Sequence, residues 1–292
     1  MLFAGAFTAL VTPFKNGAVD EDGYREFIEW QIEQGIDGLV PCGTTGESAT
    51  LSHAEHERVI TICIDQVKKR VPVIAGAGSN NTAEAVSLLK FARKAGADAG
   101  LMITPYYNKP TQEGVFQHFK AVAAACDLPV FVYNVPGRTG MNVSSSTMIR
   151  IRREIPSVIG AKEASADLTQ IADIMQGCDA DFILLSGDDF TALPIMALGG
   201  KGVISVSANV APQKVAAMCR AWKDGDTALA AGLHYDLLAL NHACFYETNP
   251  IPVKTMLSML GRMSGELRLP LVPPSPENRE KMREVLRRAG LL

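Results

Sequence analysis

The chain has 292 residues, of which 47% are hydrophobic and 20% charged, and a formal net charge of −3. That length and apolar content support one large core. The mildly acidic balance, without any Lys/Arg run, argues against nucleic acid as a partner.

The N-terminal apolar segment carries Thr8, Thr12 and Pro13 and lacks a basic leader, so it predicts a first strand over Ala6–Thr12 rather than a signal peptide. A helix over Gly23–Gln34 follows, with Tyr24, Phe27, Ile28 and Ile32 on one face. Asp37–Gly43 is the second strand. Ser52-x-x-Glu55 is a capping box that opens a helix through Val67. After the strand Pro72–Gly78, Asn81-x-x-Glu84 opens a helix closed by Gly96. Strands Ala99–Pro105, Pro129–Pro136, Ser157–Ser165, Phe182–Asp188 and Gly202–Asn209 then alternate with helices Gly114–Ala125, Ser145–Glu154, Leu168–Gly177 and a segment from Asp189 to Leu198. Beyond Asn209 the pattern is helical throughout: Pro212–Lys223, Thr227–Cys244, Pro250–Leu260 and Ser275–Ala289.

Each apolar run is nearly continuous rather than alternating, which suits parallel strands buried on both faces. Eight such runs alternating with helices predict an α/β fold, a (β/α)8 TIM barrel over 1–224, with a small C-terminal all-helical domain over 225–292. A doubly wound open sheet is the alternative. The six cysteines, at 42, 63, 126, 178, 219 and 244, form no C-x-x-C pair, which predicts reduced thiols and a cytoplasmic protein. No clean stretch of apolar residues is long enough for a membrane span, since Asp127, Pro129 and Lys201 interrupt the candidates.

In a barrel, chemistry collects at the C-terminal ends of the strands. Lys162 is the only lysine inside one of the eight apolar runs. An amine inside a barrel loses hydration, which favours the neutral form that condenses with a ketone. The other reading is a structural lysine paired with a carboxylate. Glu163 is a poor partner for it, because neighbours on a strand point to opposite faces. Tyr133 could move protons at Lys162 or simply pack, and Thr44 and Tyr107 could chain to it as donor and acceptor. Gly43-Thr44-Thr45-Gly46 reads either as an ordinary turn or as a nest of free N–H groups for a carboxylate or phosphate. Gly76-Ala77-Gly78-Ser79-Asn80-Asn81 lacks the third glycine of a dinucleotide fingerprint and lies on the wrong strand. The five histidines, at 53, 56, 118, 234 and 242, do not assemble a ligand set at a strand end, so no catalytic metal is expected.

GTTGE at 43–47, YNVPGRTG at 133–140 and GAKEAS at 160–165, in this order and on these strands, resemble the Schiff-base aldolase family of dihydrodipicolinate synthase and N-acetylneuraminate lyase. The likeness extends over essentially the whole chain, including the tail motif Thr248-Asn249-Pro250-Ile251-Pro252-Val253-Lys254. It implies that Lys162 forms an imine with pyruvate and that Tyr133, Thr44 and Tyr107 relay protons, with Tyr107 reaching in from a neighbouring subunit. It assigns the pyruvate carboxylate to Thr45, and further substrate contacts to Gly187 and the Ile204 carbonyl. Arg138 places the chain on the synthase side of the family, since a guanidinium can hold the carboxylate of L-aspartate 4-semialdehyde as a two-pronged pair. The reaction implied is the committed step of diaminopimelate and lysine biosynthesis; it uses no cofactor, because the imine is itself the electron sink.

Two other readings compete with it: a related lyase or keto-acid aldolase acting on a sugar acid, and a non-catalytic barrel. The resemblance also implies a homotetramer, a dimer of tight dimers, and feedback inhibition by L-lysine. Ser48, Ala49, His53, His56, Asn80, Glu84 and Tyr106, each an ordinary surface polar or small residue on its own, together match a lysine-binding cleft of the inhibited members. His53 and His56, three apart on the helix capped by Ser52, are expected to face the same way.

Overall fold

The computed structural model describes residues 2–292. The chain divides into two compact units, one built from Pro72–Ile204 with the N-terminal stub to Ala4, the other from Gly5–Val71 and Ser205–Leu292. The barrel strands are β1 (Gly5–Ala9), β2 (Gly38–Val40), β3 (Ile74–Gly76), β4 (Ala99–Ile103), β5 (Val130–Asn134), β6 (Val158–Glu163), β7 (Ile183–Ser186) and β8 (Gly202–Ser205). All eight expected strands are present, each shorter than its apolar run. The surplus residues extend beyond the strand ends into the adjoining turns.

In the first unit β3 pairs with β4, β4 with β5, β5 with β6, β6 with β7 and β7 with β8, always in parallel. A doubly wound sheet would start in the middle and reverse direction. This strictly sequential order, with a helix between successive strands, belongs to the (β/α)8 class instead. Helices Thr82–Ala95, Gln112–Ala125, Ser145–Glu154, Leu168–Gly177 and Ala192–Ala197 make the crossovers. Thr82–Ala95 starts as its sequence predicts, with the Asn81 side chain accepting from the Ala83 N–H. It ends at Gly96, whose φ of +97° is the left-handed conformation that favours glycine. The core is aromatic and β-branched: Phe116, Phe119, Phe131 and Phe182 are all fully buried.

In the second unit β1 pairs in parallel with β2, matching Phe7 to Gly38 and Ala9 to Val40. A two-stranded hairpin, Phe14–Lys15 against Ala18–Val19, was not expected from the sequence. Its strands are two residues each, too short for periodicity to register. Helix Glu21–Glu33 starts two residues before the expected Gly23, because Asp20 caps it. Helix His53–Val67 has the full capping box, Ser52 accepting from the Glu55 N–H while Glu55 accepts from the Ser52 N–H. The rest is helical: Pro212–Lys223, Thr227–Ala243, Ile251–Met259 and Pro276–Arg288. Among the described residues no helix is long and apolar enough to cross a membrane.

Candidate active site

The first unit presents Lys162 and Tyr133 side by side. Parallel pairing sets Tyr133 opposite Lys162 and Asn134 opposite Glu163. Because side chains alternate across a strand, one pair faces inward and the other outward. Lys162 is 6% exposed, and its Nζ lies 4.2 Å from the centre of the Tyr133 ring. No ion pair of Lys162 is present among the described residues. Directly after β7, Gly187 makes room for it. A Cβ at Gly187 would sit 3.0 Å from Lys162 Cγ and 3.1 Å from its Cε. Ile204, on β8, is fully buried.

Glu163 behaves as the alternation requires and turns away from the amine. Its carboxylate accepts from Asn134 Nδ2 at 3.1 Å and from the Ser165 N–H at 2.8 Å. Asn134 Nδ2 also donates to Asn142 Oδ1, and Asn142 donates to Gln170 Oε1. Burial pushes the Glu163 carboxyl above the usual carboxylate range, and the donors from Asn134 and Ser165 oppose that rise. This outer cluster joins β5 to β6 one residue beyond the pair in which Tyr133 stands opposite Lys162.

Arg138 lies on a short helical turn, Pro136–Thr139, that follows β5, and is exposed. Tyr107 is 89% exposed and has a φ of +68°. The neighbouring backbone is pinned: Asn80 Nδ2 donates to the Tyr106 carbonyl, and Asn108 Nδ2 donates to the Asn80 carbonyl. Ser79 Oγ donates to Glu84, so Glu84 closes the turn before its helix rather than completing a cap on Asn81.

The second unit holds Thr44 and Thr45. Their loop is not a nest of wholly free N–H groups. The Gly46 N–H donates to the Gly43 carbonyl, so one of the four expected anion donors is spent within the loop, and the Glu47 N–H that follows donates to the Thr44 carbonyl. The N–H groups of Thr44 and Thr45 donate to no backbone carbonyl among the described residues. Thr12 Oγ1 donates to the Gly46 carbonyl at 2.7 Å. Thr45 is buried, and its hydroxyl accepts from Asn249 Nδ2 at 2.9 Å. Glu47, at the loop's end, pairs with Lys254 at 2.6 Å, and both side chains are essentially inaccessible. Asn249 and Lys254 of the tail motif carry no local signal of a role in the sequence, because their partners lie some 200 residues away.

Ser48 and Ala49 begin a 3-10 turn after Glu47. His53 and His56 share the next helix, yet His53 is exposed while His56 is buried. A separation of three residues turns about 60° around a helix, enough to carry one ring to solvent and the other into the core.

A model of the dihydrodipicolinate synthetase family matches residues 2–289. The chain belongs to that family. The 4-hydroxy-tetrahydrodipicolinate synthase of Nitratidesulfovibrio vulgaris strain Miyazaki F is 62% identical over 292 residues, covering all of both chains. The chloride-inhibited dihydrodipicolinate synthase of Acinetobacter baumannii, solved in complex with pyruvate, is 44% identical, with a TM-score of 0.96 over 99% of each chain. The enzyme of Cyanidioschyzon merolae, solved with lysine bound, is 40% identical, with a TM-score of 0.97 over 100% of this chain and 99% of the other. These likenesses carry the (β/α)8 class to this family member, as its sequential parallel strands already indicated.

Proposed function

We propose that this chain is a lyase of the 4-hydroxy-tetrahydrodipicolinate synthase type, condensing pyruvate with L-aspartate 4-semialdehyde through an imine on Lys162. The observation that carries this reading is a buried amine lying against a tyrosine ring, with its neighbouring carboxylate turned away. Lys162 Nζ attacks the pyruvate ketone carbon, and loss of water from the carbinolamine leaves the imine. Tyr133 passes a proton to the leaving oxygen, which departs as water, and then takes one from the pyruvate methyl carbon as the imine becomes an enamine. The enamine carbon attacks the aldehyde. The semialdehyde's amine then attacks the imine carbon, closes the ring and releases Lys162. Thr44 and Tyr107 complete the relay, Thr45 receives the pyruvate carboxylate, and Gly187 and the Ile204 carbonyl contact substrate. Arg138 holds the second substrate's carboxylate, which favours this reading over a sugar-acid lyase.

An exposed tyrosine held in left-handed backbone fits a residue that serves a neighbouring copy, so the assembly proposed is a homotetramer of tight dimers. The domain division at 224/225 and a cytoplasmic location belong to the same reading. L-lysine, as end product, is proposed as a partial inhibitor acting through Ser48, Ala49, His53, His56, Asn80, Glu84 and Tyr106. The relative solved with lysine supports this, as does the hydrogen bond from Asn80 to the Tyr106 carbonyl, since Tyr106 adjoins the relay residue Tyr107.

The experiment is reduction with borohydride in the presence of pyruvate, followed by peptide mapping. A stable adduct on Lys162 is expected. Turnover of the semialdehyde, with none of a sugar acid, then selects the synthase. No adduct, or an adduct elsewhere, sinks the mechanism. Lysine titrated into the same assay should lower the rate only partially, and Glu84→Thr should abolish that effect.

A further inference from the structure

The tail motif Thr248–Lys254 takes no part in the steps above, yet it makes two buried contacts with the GTTGE loop of its own unit. Asn249 Nδ2 donates to Thr45 Oγ1 at 2.9 Å, and Lys254 Nζ donates to Glu47 Oε1 at 2.6 Å. Asn249 is 4% exposed, Thr45 3%, Glu47 4% and Lys254 0%. The contacts are two residues apart on the loop and five apart on the tail, so together they fix the two segments in register as well as in distance.

A hydroxyl has one proton and two acceptor lone pairs. Because Asn249 donates into one lone pair, the Thr45 proton must point elsewhere. No acceptor for that proton is present among the described residues. A carboxylate accepts hydrogen bonds and cannot donate them, so a hydroxyl with its proton turned outward suits it and one turned inward does not. We infer that Asn249 is a positioning residue for keto-acid recognition: by donating to Thr45 Oγ1 it sets the polarity of that hydroxyl so that it donates to the substrate carboxylate, while the Lys254–Glu47 ion pair holds the tail and the loop in register. This rests on the assignment of Thr45 to the pyruvate carboxylate. The position selects for charge on the ketone, not for the ketone itself.

The polarity argument gives a signed test. Asn249→Asp is nearly isosteric but can only accept, so it draws the Thr45 proton inward. Asn249→Ala removes the donor and leaves the hydroxyl free to turn. The probe is borohydride trapping on Lys162, measured against the concentration of pyruvate and, separately, of acetone, a ketone without a carboxylate. Expected is a rise in the half-saturating pyruvate concentration of roughly 3- to 10-fold for Asn249→Ala and more than about 10-fold for Asn249→Asp. Acetone trapping should stay within about 2-fold of wild type in both, and kcat at saturating pyruvate should change far less than KM. In a Thr45→Val background, Asn249→Ala should add no further pyruvate-specific loss.

Equal losses for pyruvate and acetone would make Asn249 merely structural and overturn the inference. So would wild-type half-saturation in Asn249→Asp. If Asn249→Ala and Asn249→Asp fold poorly, Asn249→Gln, which keeps the amide but displaces it from Thr45, still decides: a loss for pyruvate with acetone spared supports the inference, and equal losses overturn it. If wild-type enzyme gives no adduct with pyruvate, the functional reading itself fails and takes the inference with it; an intact wild-type adduct with unchanged variants removes only the inference.

Discussion

Two buried lysines in this molecule have opposite surroundings. Lys254 is fully inaccessible and meets the Glu47 carboxylate at 2.6 Å, with its Nζ 4.2 Å from the Phe14 ring centre. Arg268 lies against the same ring, donates its N–H to Glu47 and forms a two-pronged pair with Glu55. Burial lowers the Lys254 pKa from its ordinary value, and the charge of Glu47 pulls it back up. Lys162 is almost as deeply buried, but the carboxylate next to it in sequence faces the other way, and a tyrosine ring lies in the place of an ion-pair partner. Burial of an amine therefore does not by itself mark chemistry. Lys254 is the structural, carboxylate-paired lysine that Lys162 would have been on the competing reading of the sequence.

The largest expected effect falls on the unpaired lysine. Lys162→Ala should fold normally, since no charge is left without its partner, yet lose activity by about 1,000-fold or more. Lys162→Arg should match it, because a guanidinium keeps its proton. Steady-state turnover beside a thermal melt measures both halves. Near-normal turnover in either variant would erase the distinction between the two lysines.

Lys254 should answer in the opposite currency, stability rather than rate. Lys254→Met leaves Glu47 buried without its cation, a change that costs about 3–5 kcal/mol. Adding Glu47→Gln should restore much of that loss, because the neutral amide still accepts from the Arg268 N–H. Urea midpoints of the two variants, compared at equal protein concentration, settle it. If the single variant is as stable as wild type, the pair does not hold the loop.

Arg138→Ala refines the first lysine's side of the comparison. The imine with pyruvate should still form, because Arg138 is exposed on its own turn after β5. Use of the semialdehyde should fall by about 10- to 100-fold, the scale of one lost charge-assisted pair. Loss of trapping together with unchanged semialdehyde binding would mean that the guanidinium serves pyruvate instead.

Much of this was legible in the sequence. Lys162 stood out because a charge inside a β-branched run breaks the pattern, and period-2 alternation alone excluded Glu163 as its partner. The capping box at Ser52 and the close at Gly96 were readable because caps are local. What stayed hidden is long-range. Nothing near Lys254 announces Glu47, and nothing near Asn249 announces Thr45; only the closed chain brings them together. The inward bond of the Gly46 N–H in the 43–46 turn was hidden for a related reason, since which N–H groups a turn spends on itself depends on its dihedral angles and not on its composition. The difference in exposure between His53 and His56 likewise depends on how the helix is rotated against the core.

The smallest effect concerns the carboxylate that turned away. Glu163 is fully inaccessible, and burial raises its pKa in the folded chain above the ordinary 4.5. Between 4.5 and the folded-state value, the native protein binds more protons at this site than the unfolded chain does. Stability from this group is thus fully present below the unfolded pKa and is lost as pH rises through the folded one. Glu163→Gln removes the titration while keeping an oxygen to accept from Asn134 and the Ser165 N–H. Relative to wild type, the variant should therefore gain stability on going from pH 4 to pH 7, as read from urea midpoints at both values. Turnover should stay within about 3-fold of wild type, because the side chain faces away from the amine and its replacement preserves the strand register. A gain of the opposite sign would mean that the donors from Asn134 and Ser165 outweigh burial and hold the carboxylate charged. A collapse of trapping at Lys162 would mean that the charge on Glu163, and not only its hydrogen bonding, reaches across the strand to the amine.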